Sequence, residues 1–273
     1  MLTRICDEFN IQYPNTNTTP FPLKILVDEI KNYLCKSHGN HRKAVLNVVL
    51  PVLVEYMSFF NNEGGEDSEI AEEMEFVFSQ ISADSVEQLI KALNNAIKGD
   101  SVARGKTEII RRAITGALGE IGDKKSIQAL LKTLELEVLG EGYVTAKNCV
   151  YSLSVFEDAR AANAIVATLQ HSDGDVERVA RNMLRHHLVY GSFKKESVRR
   201  EAVNSMIGLL KSKNENVVMN AIWVLADICE TKAVPFFEKI ITNTQELRPG
   251  LVKYVQEALT KIQTGRISIE EEI

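Results

Sequence analysis

The sequence has six prolines, one tryptophan and only 7% aromatic residues among 273. With its apolar residues drawn mainly from Leu, Ile, Val and Ala, such a chain disfavours an all-β sandwich and favours helices packed through aliphatic ridges. Cysteine is equally scarce: Cys6, Cys35, Cys149 and Cys229 lie 29, 114 and 80 positions apart. None forms a CxxC pair, so the common zinc and redox-dithiol signatures are missing. The four read as reduced thiols, Cys149 and Cys229 in the core. No apolar run reaches the ~20 residues that cross a bilayer. The most apolar stretch, "AVLNVVLPVLVEYMSFF" at 44–60, is interrupted by Pro51 and reads as a buried helix. The first twenty residues show no signal-peptide core. The expected location is therefore cytoplasmic, with no membrane partner.

Charge of one sign is missing over long stretches. From Ala44 to Ile90 there is no lysine or arginine but ten acids, among them Glu63, Glu66, Asp67, Glu69, Glu72, Glu73 and Glu75. Residues 178–200 reverse the balance, with seven Lys or Arg against the single acid Glu196. The net charge of −5 and the acidic block make nucleic acid an unfavoured partner.

Gly116, Gly119 and Gly122 invite a phosphate-loop reading. A dinucleotide loop needs a strand before its glycines and a helix opening after them. Here the glycines close a helix instead. Ile110, Ile114, Ala117, Leu118 and Ile121 form one helical face. The same row recurs 40 positions earlier (Ile70, Met74, Val77, Phe78, Ile81) and 107 later (Val217, Ala221, Val224, Leu225, Ile228). A further 34 positions on it returns as Leu251, Val255, Ala258, Leu259 and Ile262. Weaker rows start at Thr145 and Val176. A second amphipathic helix follows most rows: Ile127, Leu130 and Leu134 match Val86, Leu89 and Leu93, then Ala162, Ile165 and Leu169, then Val234, Phe237 and Ile241. A pair of helices this short cannot bury its apolar face alone, so the pairs must stack. In this reading Gly116 and Gly119 let a neighbouring helix approach, Gly122 supplies a left-handed cap and Asp123 caps the next helix. Asp158 does likewise.

"RRAITGALGEIGDKKSIQALLKTL" and "AKNCVYSLSVFEDARAANAIVATL" resemble HEAT repeats, in particular the compact HEAT-like repeats of phycobilisome lyases and bacterial scaffold proteins. The resemblance spans residues 66–263 and implies an all-α, right-handed α-solenoid of stacked HEAT-like helical hairpins. Outside it, 1–20 reads as a flexible arm, 21–60 as a divergent helical cap, 61–69 as an acidic linker and 264–273 as an acidic tail. The implied function is a non-catalytic protein-binding scaffold or adaptor without a cofactor. One alternative that the resemblance implies is a bilin lyase or lyase subunit that attaches a tetrapyrrole to a phycobiliprotein. A HEAT-like nucleic-acid binder is a third reading.

Catalytic signatures are lacking. There is no GxSxG elbow and no His-Glu dipeptide of the kind a HEAT-repeat di-iron hydroxylase requires. His38 and His41 flank a turn without a third ligand, so neither catalytic nor metal-binding residues are expected. The binding candidates are cationic. Arg178, Arg181 and Arg185 recur at helical steps on one face, and His186 and Tyr190 follow. Lys194, Lys195, Arg199 and Arg200 extend this basic ridge towards the next helix. Such a stripe suits the carboxylates of an acidic protein partner, or a bilin's propionates under the alternative. Gln128, Lys132 and Asn163 are non-core positions on second helices, the face where a partner of stacked hairpins docks. Trp223 falls off its row and reads as packing at a repeat junction. The divergent unit at 176–212, where the Gly-Asp corner is lost, is the preferred place to look for function.

Overall fold

Asp158, Asp173 and Asn214 show how the sequence starts its helices. Each side chain accepts hydrogen bonds from backbone amides just ahead: Arg160 at 2.9 Å, Asp175 and Val176 at 3.0 and 2.9 Å, and Asn216 at 3.0 Å. These bonds satisfy amides that have no partner inside the helix. The computed structural model describes residues 67–79, 86–98, 107–138, 143–191, 193–242 and 249–265, with Asn32 and Lys36 as isolated helical positions. The expected arm and cap (1–60) otherwise lie outside the described residues, as do 61–66 of the linker and 266–273 of the tail. No strand occurs among the described residues.

The chain divides into two units, Met1–Val155 and Phe156–Ile273. The first holds α1 (Asp67–Ser79), α2 (Val86–Ala96), α3 (Glu108–Ile121), α4 (Ile127–Val138) and α5 (Tyr143–Ser154). The second holds α6 (Ala159–Thr168), α7 (Gly174–Val189), α8 (Glu196–Leu209), α9 (Glu215–Asp227), α10 (Val234–Thr242) and α11 (Pro249–Thr264). Helix α1 opens at Asp67, inside the stretch expected as linker.

Within each unit the packing is that of stacked hairpins. First helices lie on first helices, as in α1, α3 and α5 or α7, α9 and α11, and second helices on second helices, as in α2 with α4 or α6 with α8. Each second helix also packs on the first helix of the next pair. All-α stacking of this kind is the α-solenoid arrangement the repeats demand. The buried residues are those of the rows: Met74, Val77 and Phe78; Ile110, Ile114, Ala117 and Leu118; Val217, Ala221, Val224 and Leu225; Leu251, Val255, Ala258 and Ile262. Side chains of this aliphatic class contribute roughly 1.5–3 kcal/mol each when buried.

The corners are built as the glycine argument requires. Gly122 is left-handed (φ 67°) and its amide bonds to Leu118 O at 3.2 Å. Asp123 then accepts from the Lys125 amide at 2.9 Å, opening a short 3-10 turn before α4. In the unit 107 positions later Cys229 takes the place of Gly122, also left-handed (φ 52°). Glu230 caps there in place of Asp123. Cys229 is therefore a half-buried corner residue and not the core thiol expected. Cys149 is a core thiol, and burial together with nearby Glu137 pushes its ionisation far above the ordinary range.

Gly116 and Gly119 are close-approach positions. A Cβ at 119 would sit 2.8 Å from the Ser152 Cα of α5, and one at 116 would overlap the Glu75 carboxyl group of α1. No phosphate cradle exists here.

Candidate functional site

In the second unit, the arginines of the expected ridge do not act alike. Arg178 is exposed and, among the described residues, pairs with Asp175 at 3.2 Å on its own helix. Arg181 bonds to Glu177 and to Asn220 Oδ1, both at 3.4 Å, with its guanidinium 4.8 Å from the Trp223 ring centre. Arg185 meets the buried carboxylate of Asp227 at 2.9 Å and lies 5.7 Å from the same ring. Lys261 of α11 holds the other Asp227 oxygen. Thus Arg181 and Arg185 are committed to packing α7 against α9, and Trp223 lies between those helices. A solvated row of three arginines is not what this face presents.

The exposed part of the ridge is its corner. Tyr190 is 65% exposed and packs on His186, with ring centres 5.1 Å apart. Lys194, Lys195 and Arg200 are exposed beside it. The corner is held at both ends. Glu157 accepts from the Lys194 amide at 2.9 Å, and Arg199 donates to the last-turn carbonyl of Leu188. Between them His187 stacks on buried Phe193 at 4.9 Å. Burial, with His186 adjacent, holds His187 below the usual imidazole value, so it stays neutral and packs as an aromatic. Gly191 provides the left-handed residue (φ 74°) of a corner that arrives late because α7 is longer than α1, α3, α5 and α9.

Of the second-helix candidates, Gln128 and Lys132 lie exposed on α4 of the first unit. Asn163 is tied down, donating to Glu201 at 3.3 Å and accepting from the Ser205 hydroxyl at 2.6 Å, which joins α6 to α8.

The first unit carries a feature that sequence reasoning missed. Above the glycines of α3 runs a groove of about 280 Å³ between α1 and α5. Its floor is the α3 backbone at Gly116 and Gly119, against which the Glu75 carboxyl group and Ser152 lie. Ser152 closes the crossing by donating to Thr115 O at 2.7 Å, and Asn148 donates to Arg112 O at 3.3 Å. Tyr151 and Val155, 47% and 55% exposed, form an apolar wall. Glu75 and Glu120 supply its carboxylates. Burial first, then the charges of Glu120 and Glu72, push Glu75 up to about 7, with Arg112 opposing. The only available signal was the small-residue stripe itself, which says that something comes close without saying what.

That shift has a measurable sign. A carboxyl raised in the folded state binds more protons than the unfolded chain between its ordinary value of 4.5 and about 7, so stability falls as pH rises through that window. Glu75→Gln should match the parent protein below pH 4.5 and exceed it in stability above pH 7. Urea unfolding at pH 4 and pH 8 reads the difference, and equal stabilities at pH 8 would contradict it.

A family model described as PBS lyase HEAT-like repeat matches residues 110–135, the α3–α4 pair. No curated protein matches the chain. Among solved structures, the crystal structure of an engineered protein from a structural genomics consortium is similar at 18% identity and a TM-score of 0.36. The alignment covers 78% of this chain and 97% of the engineered one. No helix among the described residues is long and apolar enough to cross a membrane. Residues 110–135 thus match a HEAT-like repeat, and they form one hairpin of a stack in which helix pairs recur.

Proposed function

We propose that the protein is a non-catalytic binding scaffold or adaptor that engages an acidic protein partner through the corner between α7 and α8. The observation that carries this reading is Tyr190. It is a large aromatic, 65% exposed, on a corner fixed at both ends and flanked by exposed Lys194, Lys195 and Arg200. A preorganised aromatic loses little entropy on binding and is a common anchor at interfaces. Exposed cations around it steer an acidic surface towards it. His186 and Arg199 border the same patch, and Arg178 is a further candidate near the opposite end of α7. Gln128 and Lys132 in the first unit, and separately Asn163 in the second, remain candidates for further contacts on second helices.

The test is capture by the immobilised protein from its native cells, quantified for parent, Tyr190→Ala and the double variant Lys194→Glu/Lys195→Glu. A genuine partner should fall by about tenfold or more with either variant, the loss expected for an anchor worth ~1.4 kcal/mol or more. It should also weaken with salt. An unchanged protein profile in both variants would leave the corner as plain surface.

A lyase reading rests on the description of the matching family model. Under it, the purified chain should bind a linear tetrapyrrole and shift its visible absorption, and an unshifted spectrum would remove that reading.

A further inference from the structure

The groove over Gly116 and Gly119 has the opposite character to the basic corner, and its argument stands independently of that corner. Its charged groups are carboxylates, Glu75 and Glu120, and its apolar wall is the exposed pair Tyr151 and Val155. We propose that this groove docks an arginine or lysine side chain carried on a segment of a partner protein.

Charge complementarity selects the occupant. Glu75 lies with its carboxyl group directly over Gly116, in the space that a Cβ there would take. It is thus pressed against a helix backbone and half-buried. The groups that face it are Glu72 from its own helix and Glu120 and Arg112 from α3, while Asn148 and Tyr151 come from α5. Among the described residues, Arg112 is the single cation in that set. Two acids on α1 and one on α3 exceed what it balances, and desolvation makes the excess costly. A guanidinium or ammonium entering from solvent would restore the charge of Glu75 and pair with Glu120 as well.

The walls select a side chain over a bare ion. Lysine and arginine carry aliphatic stems that cover apolar surface while the charged head stays with its partners. Tyr151 and Val155 offer that surface at the groove's edge. The flanking residues of a peptide segment gain the same contact, whereas a small free cation does not.

The experiment uses the full chain, labelled with ¹⁵N, and the probe peptide acetyl-Ala-Leu-Arg-Leu-Ala-amide. Titration should move the amide resonances of Gly116 and Gly119 at millimolar peptide. A peptide with citrulline in place of arginine keeps the shape and loses the charge, and should move neither. Glu75→Gln/Glu120→Gln should weaken the arginine peptide by about tenfold or more, with an otherwise unchanged amide spectrum reporting an intact fold. Binding should tighten several-fold between pH 6 and pH 8, because an occupant of positive charge favours ionised Glu75. Agmatine should bind more weakly than the peptide. The proposal is overturned if the arginine peptide leaves both glycines unmoved, if citrulline serves as well as arginine, or if the double variant binds like the parent. Agmatine binding as tightly as the peptide would likewise overturn it, in favour of a site for free cations.

Discussion

Glu137→Gln is expected to destabilise the first unit by about 3–5 kcal/mol, the cost of taking a carboxylate partner from a buried cation. Arg111 and Glu137 meet at 2.7 Å with side-chain exposures of 2% and 3%. Glutamine keeps the volume of glutamate, so no cavity confuses the result. What changes is that the Arg111 guanidinium stays in a water-poor site facing a neutral amide. Its bond to Thr107 Oγ1 at 2.8 Å survives, and Thr107 in turn donates to Ala96 O at 2.7 Å, so the link from α3 back to α2 persists. The loss therefore reads the exchange of a carboxylate for an amide beside Arg111. Removing both charges with Arg111→Met/Glu137→Leu should recover most of it, since an apolar pair of similar size needs no desolvation. Denaturant unfolding of the two variants provides the comparison. A cost under ~1 kcal/mol for Glu137→Gln would mean that the pair behaves like a surface one.

In the second unit, Asp227→Ala is expected to cost about 2–3 kcal/mol, somewhat below a fully buried case. Asp227 is 1% exposed and holds both Arg185 and Lys261. These cations are 23% and 20% exposed, so water partly compensates them once the acid is gone. Arg185→Met should cost only about 1 kcal/mol, because Lys261 still neutralises Asp227. The ordering is the diagnostic part, read by denaturant unfolding of both variants. If Arg185→Met proves as damaging as Asp227→Ala, the guanidinium matters through Trp223 more than through the carboxylate.

Periodicity made the fold legible. The rows at 110, 217 and 251 name core residues because a helix repeats its buried face every three to four positions, and stacking forces each pair to use that face. The Gly122 corner and the Asp158 cap were readable for a similar reason: a left-handed residue and an unpaired amide each require a particular side chain. The candidate site was readable only in part. Steps of three and four put Arg181 and Arg185 on one face, but what they face sits about forty residues away, at Asn220, Trp223 and Asp227. Asp227 precedes Ile228 of its row and carries no periodic signal of its own. Cys229 was misplaced because a positive φ at a non-glycine residue leaves no trace in composition. The groove was hidden for the deepest reason. Its walls come from α1 and α5, and its floor is bare α3 backbone, so no side chain within 116–122 announces it.

Gly116 puts thermostability and molecular recognition in competition at a single codon. Alanine in mid-helix is worth roughly 0.5–1 kcal/mol over glycine through backbone entropy, and the obstructing atoms at 116 belong to the end of a flexible glutamate. Selection for a sturdier fold would therefore readily fix Gly116→Ala, evicting the carboxyl group and filling the recess. A variant recovered from a heat-stability screen at this position would be the one to re-examine for lost binding.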